Sequence, residues 1–319
     1  MRRKMNNFND IIDKIKQVNG DIIITSHVNP DGDAIGSGLA LTLALKNLGK
    51  NVRFVLQDNY PSNIKFLEKI DLVEVYNPNE NYTPELIICV DSATAERIGE
   101  TKMLFKDNFV INIDHHISNT LYGDLNYVEE ISSTSEVIYK FLKYCNIALT
   151  LDMAEALYTG LVNDTGNFSH DNVTYHTFEM ASELKRIGAN SSKIVREFFN
   201  NKPLPAIKLL GKAMFEMKFD EVKKLASHFI SYADLLEYNA KKEDTEGIVE
   251  KLLAFNEAEV SLFLREDKPG IIKGSMRSKH EVDVNKIASI FGGGGHRKAS
   301  GFTSTLSADE ILKLVLKEM

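Results

Sequence analysis

Short apolar runs that end on ionisable side chains recur through the first part of the chain. Ile22-Ile23-Ile24 leads into His27, Asp31 and Asp33; Leu86-Ile87-Ile88-Cys89-Val90 leads into Asp91; Phe109-Val110-Ile111-Asn112-Ile113 leads into Asp114-His115-His116. Their length and their polar boundaries predict strands. Between the first run and Val52-Arg53-Phe54-Val55-Leu56, the Leu- and Ala-rich stretch from Ile35 to Leu48 predicts a helix stopped at Gly49. That is a strand, helix, strand unit. A further short strand is expected near Leu72 to Tyr76, and the spacing Ser133-Thr134-Ser135-Glu136 predicts a capping box that opens a helix running to about Tyr144. From there to Asn200 the pattern is helical, with an amphipathic run from Asp152 to Val162 that ends at Asp164 and a polar interruption at Asn163 to Asn172.

Two prolines among polar residues, in Asn200-Asn201-Lys202-Pro203-Leu204-Pro205, mark a domain boundary, and Ile207 to Phe219 reads as a connecting helix. Beyond it, strand-like runs (Ala226 to Ser231, Val260 to Arg265, Gly270 to Met276, Ala299 to Thr303) alternate with helical ones (Ala233 to Ala240, Gly247 to Ala254, Val284 to Phe291, and a last helix from about Ala308). The expected fold is α/β. An N-terminal domain (1–200) has a mostly parallel sheet with helices on both faces, a linker and connecting helix follow (201–219), and a smaller C-terminal α/β domain (220–319) lies across a cleft. In an open parallel sheet the carboxyl ends of the strands meet at one crevice, so the ionisable residues would converge there.

The length of 319 residues supports two domains, and 43% hydrophobic with 26% charged residues is ordinary for a water-soluble globular protein. No run is long enough for a membrane span, and the Met-Arg-Arg-Lys start is followed by polar residues instead of an apolar signal core, which predicts a cytoplasmic protein. Cys89 and Cys145 are far apart and suggest neither a disulfide framework nor a thiolate metal site. A formal charge of -7 argues against a broad basic face for long nucleic acid. A small anionic substrate, gripped by metals and a few basic groups, stays open.

A carboxylate and two imidazoles at the end of a buried strand are costly to desolvate bare, and a divalent cation compensates them directly. Taken alone, His27-Val28-Asn29-Pro30-Asp31-Gly32-Asp33 serves equally well as a turn with a helix cap. Asp164 could simply end a helix. Together, imidazoles and carboxylates suit borderline ions such as manganese, with Asp91 placed to be shared between two of them. Adjacent His115 and His116 point in different directions, which permits one ligand and one catalytic acid. Gly292-Gly293-Gly294-Gly295-His296 is either a flexible turn or a loop whose N–H groups approach a phosphate, and it lacks the Lys-Ser/Thr ending of a P-loop. Arg277 is a candidate anion clamp.

These residues resemble a known family. His27-Val28-Asn29-Pro30-Asp31-Gly32-Asp33-Ala34-Ile35-Gly36-Ser37, Asp91, Asp114-His115-His116 and Asn163-Asp164-Thr165-Gly166 are similar, in order, to the motifs of the DHH phosphoesterases. Gly292 to His296 with Ala299-Ser300-Gly301-Phe302 resembles the signature of the DHH-associated C-terminal domain. Within the family the nearest likeness is to the stand-alone nanoRNases, which act as oligoribonuclease and pAp phosphatase. The resemblance implies one metal on His27, Asp31 and Asp91 and the other on Asp33, Asp91, His115 and Asp164. It places His116 beside the leaving oxygen, with Asp114 orienting the histidines. It gives the terminal nucleotide to Arg277, Gly293, Gly294, Gly295 and His296, and puts Arg97 where relatives often carry an arginine.

The implied enzyme is a two-metal, manganese-type phosphodiesterase and phosphomonoesterase. Its implied substrates are pAp and single-stranded RNA of about two to five nucleotides, since no basic track extends outward for a longer strand or a duplex. A homodimer is compatible with this reading. A cyclic- or linear-dinucleotide phosphodiesterase shares the same domains and is poorly separated by sequence. A RecJ-like exonuclease lacks room here for its further domain, a family II pyrophosphatase is disfavoured by the glycine loop, and a vestigial nucleotide sensor would have lost ligands that are all present.

Overall fold

The computed structural model describes residues 6–319. The chain divides into two compact units, Met1–Asn201 and Lys202–Met319.

The first unit runs α1 (Phe8–Gln17), β1 (Asp21–Thr25), α2 (Gly32–Asn47), β2 (Val52–Leu56), β3 (Val73–Val75), β4 (Pro84–Val90), β5 (Phe109–Asp114), β6 (Leu125–Val128), α3 (Thr134–Tyr144), α4 (Leu151–Asp164), α5 (Tyr175–Ile187) and α6 (Ser191–Val195). Its six strands form one sheet in the order β3-β2-β1-β4-β5-β6, and every pairing is parallel. The strand order reverses between β1 and β4, and a ligand crevice in such sheets opens at the carboxyl ends of the strands on either side of that reversal. His27 follows β1 and Asp91 follows β4.

Side chains alternate across the sheet. Ile22, Ile24, Leu86, Ile88, Ile111 and Ile113 join one core with the apolar residues of the α-helices. Ile87, Cys89 and Val110 point the other way and pack with Ile98, Leu104 and Phe105, all from the 3₁₀ segment Ala95–Phe105, and with Tyr122. The helices are therefore concentrated on one core, and 3₁₀ turns cover the second. Helix α2 is apolar nearly all round and buried along most of its length, as a helix enclosed by neighbours must be. It crosses α4 where both lack side chains. A Cβ added at Gly36 would stand 2.4 Å from the Ala156 carbonyl oxygen, and one at Gly160 would stand 2.6 Å from Asp33 Oδ1.

The capping box expected at the start of α3 does not close. Ser133 accepts from the Glu136 N–H, but the Glu136 carboxylate turns to the Ser132 and Thr177 hydroxyls instead of the cap backbone. Buried hydroxyls offered the carboxylate better partners than the cap did. Strand β6 has no counterpart among the sequence expectations.

The second unit runs α7 (Leu204–Phe215), β7 (Lys218–Asp220), β8 (Leu225–Ile230), α8 (Tyr232–Glu237), α9 (Ile248–Leu253), β9 (Val260–Lys268), β10 (Ile271–Ser278), α10 (Val284–Ile290), β11 (Gly294–His296), β12 (Ala299–Ser304) and α11 (Ala308–Glu318). Its sheet has the order β11-β12-β10-β9-β8-β7 and is antiparallel except between β8 and β9. The expected connecting helix ends at Phe215, and its last residues form β7 instead.

The α2 crossing yields a paired prediction. Gly36→Ala should lower unfolding free energy by about 1–3 kcal/mol through overpacking against backbone. Gly211→Ala, in α7 with nothing within 4 Å of the added Cβ, should raise it by up to about 1 kcal/mol through helix propensity. Urea denaturation of both variants checks the opposite signs; a neutral Gly36→Ala would contradict the close crossing.

Candidate metal centre

Three local devices bring the ionisable residues of the first unit together. Strand ends deliver His27, Asp91 and the Asp114-His115-His116 triplet; the start of α2 delivers Asp31 and Asp33; the last residue of α4 delivers Asp164. Asp31 caps α2 by accepting from the Asp33 and Ala34 N–H groups. Asp91 is 2% exposed and has a left-handed backbone, φ 53°, a conformation that side chains adopt where surrounding structure holds them.

Asp91 sits between two donor sets. Its Oδ2 lies 3.4 Å from His27 Nε2, and His27 Nε2 is 3.9 Å from Asp31 Oδ1. Its Oδ1 lies 3.6 Å from His115 Nε2, which is 3.1 Å from Asp164 Oδ2. His27-Asp31-Asp91 and Asp33-His115-Asp164 each present three ligand atoms within 4.8 Å of one another, and so does Asp91-His115-His116. Each of these groups could hold a metal ion.

Neighbouring atoms orient the imidazoles. His27 Nδ1 lies 2.9 Å from the Val28 carbonyl and His115 Nδ1 lies 3.2 Å from the Ile131 carbonyl, so both rings donate away from the site and turn Nε2 inward. Arg97 Nη2 is 3.3 Å from His27 Nδ1, but a nitrogen that donates to the nearer carbonyl cannot also accept from a guanidinium. Arg97 is thus beside the site without bonding its ring. His116 differs from the other two. Its Nδ1 is 2.8 Å from Asp114 Oδ1 and is taken up by that hydrogen bond, which leaves Nε2 as the ring nitrogen available to another partner.

Sequence reasoning missed the start of α3. The Thr134 N–H donates to Asp33 Oδ2 at 2.6 Å, the Ser135 N–H donates to Asp33 Oδ1 at 2.8 Å, and the Thr134 hydroxyl donates to Asp91 Oδ1 at 3.0 Å. A helix N-terminus therefore holds one candidate ligand and a side chain from it steadies another. Each carboxylate oxygen keeps a lone pair for a cation. The capping signal marked this helix start, but nothing in it pointed to partners 43 to 102 residues away.

The charges explain why this set suits cations. Burial opposes a charge on His27, yet its hydrogen bond to Asp91 and the charges of Asp91 and Asp31 outweigh it and raise its pKa to about 9. Burial is likewise overcome at His115 by Asp164, Asp91 and Asp33, which raise it to about 11. Burial, then Asp164 and Asp91, push Asp33 well above the usual carboxylate range. Burial works against the charge on Asp91 too, but His27, His115 and His116 hold it below that range. Four carboxylates with three imidazoles fit divalent cations by donor chemistry as well.

In the second unit Arg277 stands on β10, donates to the Met276 carbonyl and pairs with Glu250 at 2.9 Å. His296 is exposed on β11. The glycine stretch is partly sheet, with Gly294, Gly295 and His296 paired with β12, while the Gly292 and Gly293 N–H groups are bonded to the Ser289 and Ala288 carbonyls. A Cβ at Gly293 would meet the Gly301 carbonyl oxygen at 2.3 Å, so packing against β12 accounts for that glycine.

A family model described as the DHH family, N-terminal domain, matches residues 21–161, and a DHHA1 domain model matches 223–319. The bifunctional oligoribonuclease and PAP phosphatase NrnA of Thermus thermophilus is 32% identical over 313 residues, covering 96% of this chain and 91% of its own. The chain belongs to the DHH family. The protein of the same description from Bacillus subtilis is 34% identical over 91% of this chain and 90% of its own. Among solved structures, an exopolyphosphatase-related protein from Bacteroides fragilis superposes with a TM-score of 0.91 at 27% identity, over 98% of this chain and 95% of that one. The DHH match spans His27, Asp31, Asp33, Asp91, His115 and His116, with Asp164 just past its end.

Metal binding to this DHH centre should release protons. Without cations His27 and His115 hold theirs at neutral pH, because both pKa values are raised, to about 9 and about 11. A metal needs the neutral imidazole, so apparent affinity should rise with pH across the range below 9. Calorimetry in buffers of different ionisation enthalpy measures the release; uptake of protons, or an affinity that falls as pH rises, would contradict it.

Proposed function

We propose that this chain is a divalent-metal-dependent phosphoesterase that degrades very short RNA to mononucleotides and removes the 3′-phosphate of pAp to leave AMP. The observation that carries the reading is Asp91, one buried carboxylate with an oxygen toward each of two donor sets, in a DHH-family chain whose relatives from Thermus thermophilus and Bacillus subtilis carry both activities in their names. The ligands are assigned as His27, Asp31 and Asp91 for one ion and Asp33, Asp91, His115 and Asp164 for the other. Mixed imidazole and carboxylate donors favour manganese.

The cations would supply positive charge against the phosphoryl oxygens and lower the pKa of an attacking water. The chain does the rest. Thr134 and the N-terminus of α3 keep Asp91 and Asp33 from swinging out of line. His116 serves the leaving oxygen. Burial alone would lower its pKa, but the hydrogen bond to Asp114 and that carboxylate's charge raise it above the ordinary histidine value, which favours the protonated form that can donate. Protonation of the leaving oxygen completes cleavage of a diester, and the same donation serves release of phosphate from pAp. Arg277, Gly293, Gly294, Gly295 and His296 are assigned to the terminal nucleotide, with Arg277 exchanging Glu250 for substrate phosphate. Arg97 is assigned to substrate phosphate as well, because its ring neighbour leaves the guanidinium unspent.

Parallel assays on a dinucleotide, a longer RNA, pAp, a cyclic dinucleotide and pyrophosphate test the reading. The expected order places the dinucleotide and pAp first, with kcat/KM falling as RNA lengthens, because the acidic chain gives a long strand few further contacts. Equal or better cleavage of long RNA or single-stranded DNA would overturn it. His116→Ala should lower turnover by roughly 10² to 10⁴ while both ions stay bound; loss of an ion with the side chain would make His116 a ligand instead.

A further inference from the structure

Behind His116 and Asp114 lies a buried polar arrangement whose further members the reaction as described does not use. Asp114 is 0% exposed, and a carboxylate so placed needs partners on both oxygens. Oδ1 accepts from His116 Nδ1 at 2.8 Å, and Oδ2 accepts from Asn119 Nδ2 at 2.6 Å. The same Asn119 amide donates to Asn112 Oδ1 at 2.8 Å and has the Ser92 carbonyl oxygen at 3.3 Å. Its own Oδ1 accepts from the Leu121 N–H at 2.7 Å. Acceptors surround the amide nitrogen and a donor meets the amide oxygen, so a flipped amide would set oxygen against carboxylate. Asn112 Nδ2 donates in turn to the Ser92 carbonyl at 3.2 Å and to Tyr122 Oη at 3.1 Å. Ser92 directly follows Asp91, so these two amides tie the carboxylate behind His116 to the peptide that follows the shared ligand.

We propose that Asn119 is a positioning residue for His116: by holding Asp114 Oδ2 it fixes the carboxylate plane in which Oδ1 meets His116 Nδ1, so that Nε2 is presented to the leaving oxygen. The inference rests on the reading of His116 as the leaving-group donor. A carboxylate turns easily about its terminal torsion, where the energy well is broad. With one donor on each oxygen it has a single orientation. Without Asn119 it keeps, among the described residues, the His116 hydrogen bond alone, and ring and carboxylate can move together.

A plain structural role for Asn119 is the competing account, since its Oδ1 also braces the turn at Leu121. Asn119→Asp separates the two. It keeps an acceptor for the Leu121 N–H and loses the donor to Asp114.

The test is a double-mutant cycle on the full-length enzyme with manganese. Wild type, Asn119→Asp, His116→Ala and the double variant are compared on an RNA dinucleotide and on a phosphodiester with a nitrophenolate leaving group, and melting temperatures are recorded. Asn119→Asp should lower kcat on the dinucleotide by roughly 10- to 100-fold, the range of outer-shell partners. The melting temperature should fall, because an oxygen then faces the Asp114 carboxylate; KM should stay near that of wild type, and the kcat defect should shrink with nitrophenolate, which a loss of stability alone would not produce. In the His116→Ala background it should vanish, because the two residues act as one unit. A wild-type kcat for Asn119→Asp, or a loss that adds in full to that of His116→Ala, overturns the inference. If His116→Ala itself loses equally on both substrates, the leaving-group reading of His116 fails; the double variant still decides whether Asn119 acts through His116. Repeating the cycle with Asn119→Ala keeps the test available should the aspartate variant fold poorly.

Discussion

Like charges crowded around a buried carboxylate are the constraint on which this site depends. Asp31 shares a donor group with Asp91, Asp33 and Asp164 share a second, and His115 belongs both to that second group and to one with Asp91; ionised carboxylates in such a space repel one another and lose hydration. Without cations the charge is balanced by protons on His27 and His115 and by the upward shift of Asp33. Cations would take over that balance, and the same residues would then become ligands. Acid crowding is therefore the driving force for metal binding, and the protonated histidines are its counterpart in the metal-free protein.

Rigid elements keep the crowding in place. Parallel strands β1 and β4 are neighbours at the reversal of strand order, which sets His27 and Asp91 side by side. The glycine-lined contact of α2 with α4 lets two helices approach until Asp33 meets the start of α3. Among the described residues, no lysine or arginine pairs with Asp31, Asp33, Asp91 or Asp164. Main-chain N–H groups, hydroxyls and imidazoles hold them instead, so no fixed cation competes with an arriving metal.

Much of this was legible in the sequence because burial and chemistry left separate marks. Apolar runs placed β1, β4 and β5, and the ionisable residues that closed them were the candidate ligands. Strand β6, Leu125-Asn126-Tyr127-Val128, escaped because four residues with a buried asparagine carry no alternation. The glycine stretch before His296 read as a loop, since glycine has no side-chain pattern to announce the β11 pairing with β12. Thr134, Ser135 and Asn119 were invisible as site residues for a different reason: their roles come from contacts that folding creates between distant segments, and local spacing holds no record of them.

The central claim is that Asp91 is shared by two ions, and the direct measurement is metal stoichiometry. Native mass spectrometry of wild type and Asp91→Asn, each dialysed against manganese, counts bound ions independently of activity. The account predicts two ions on the wild-type chain and the loss of more than one ordinary ligand's worth of binding in the variant, so that neither site fills at a manganese concentration that saturates wild type. Two tightly bound ions in Asp91→Asn would contradict it.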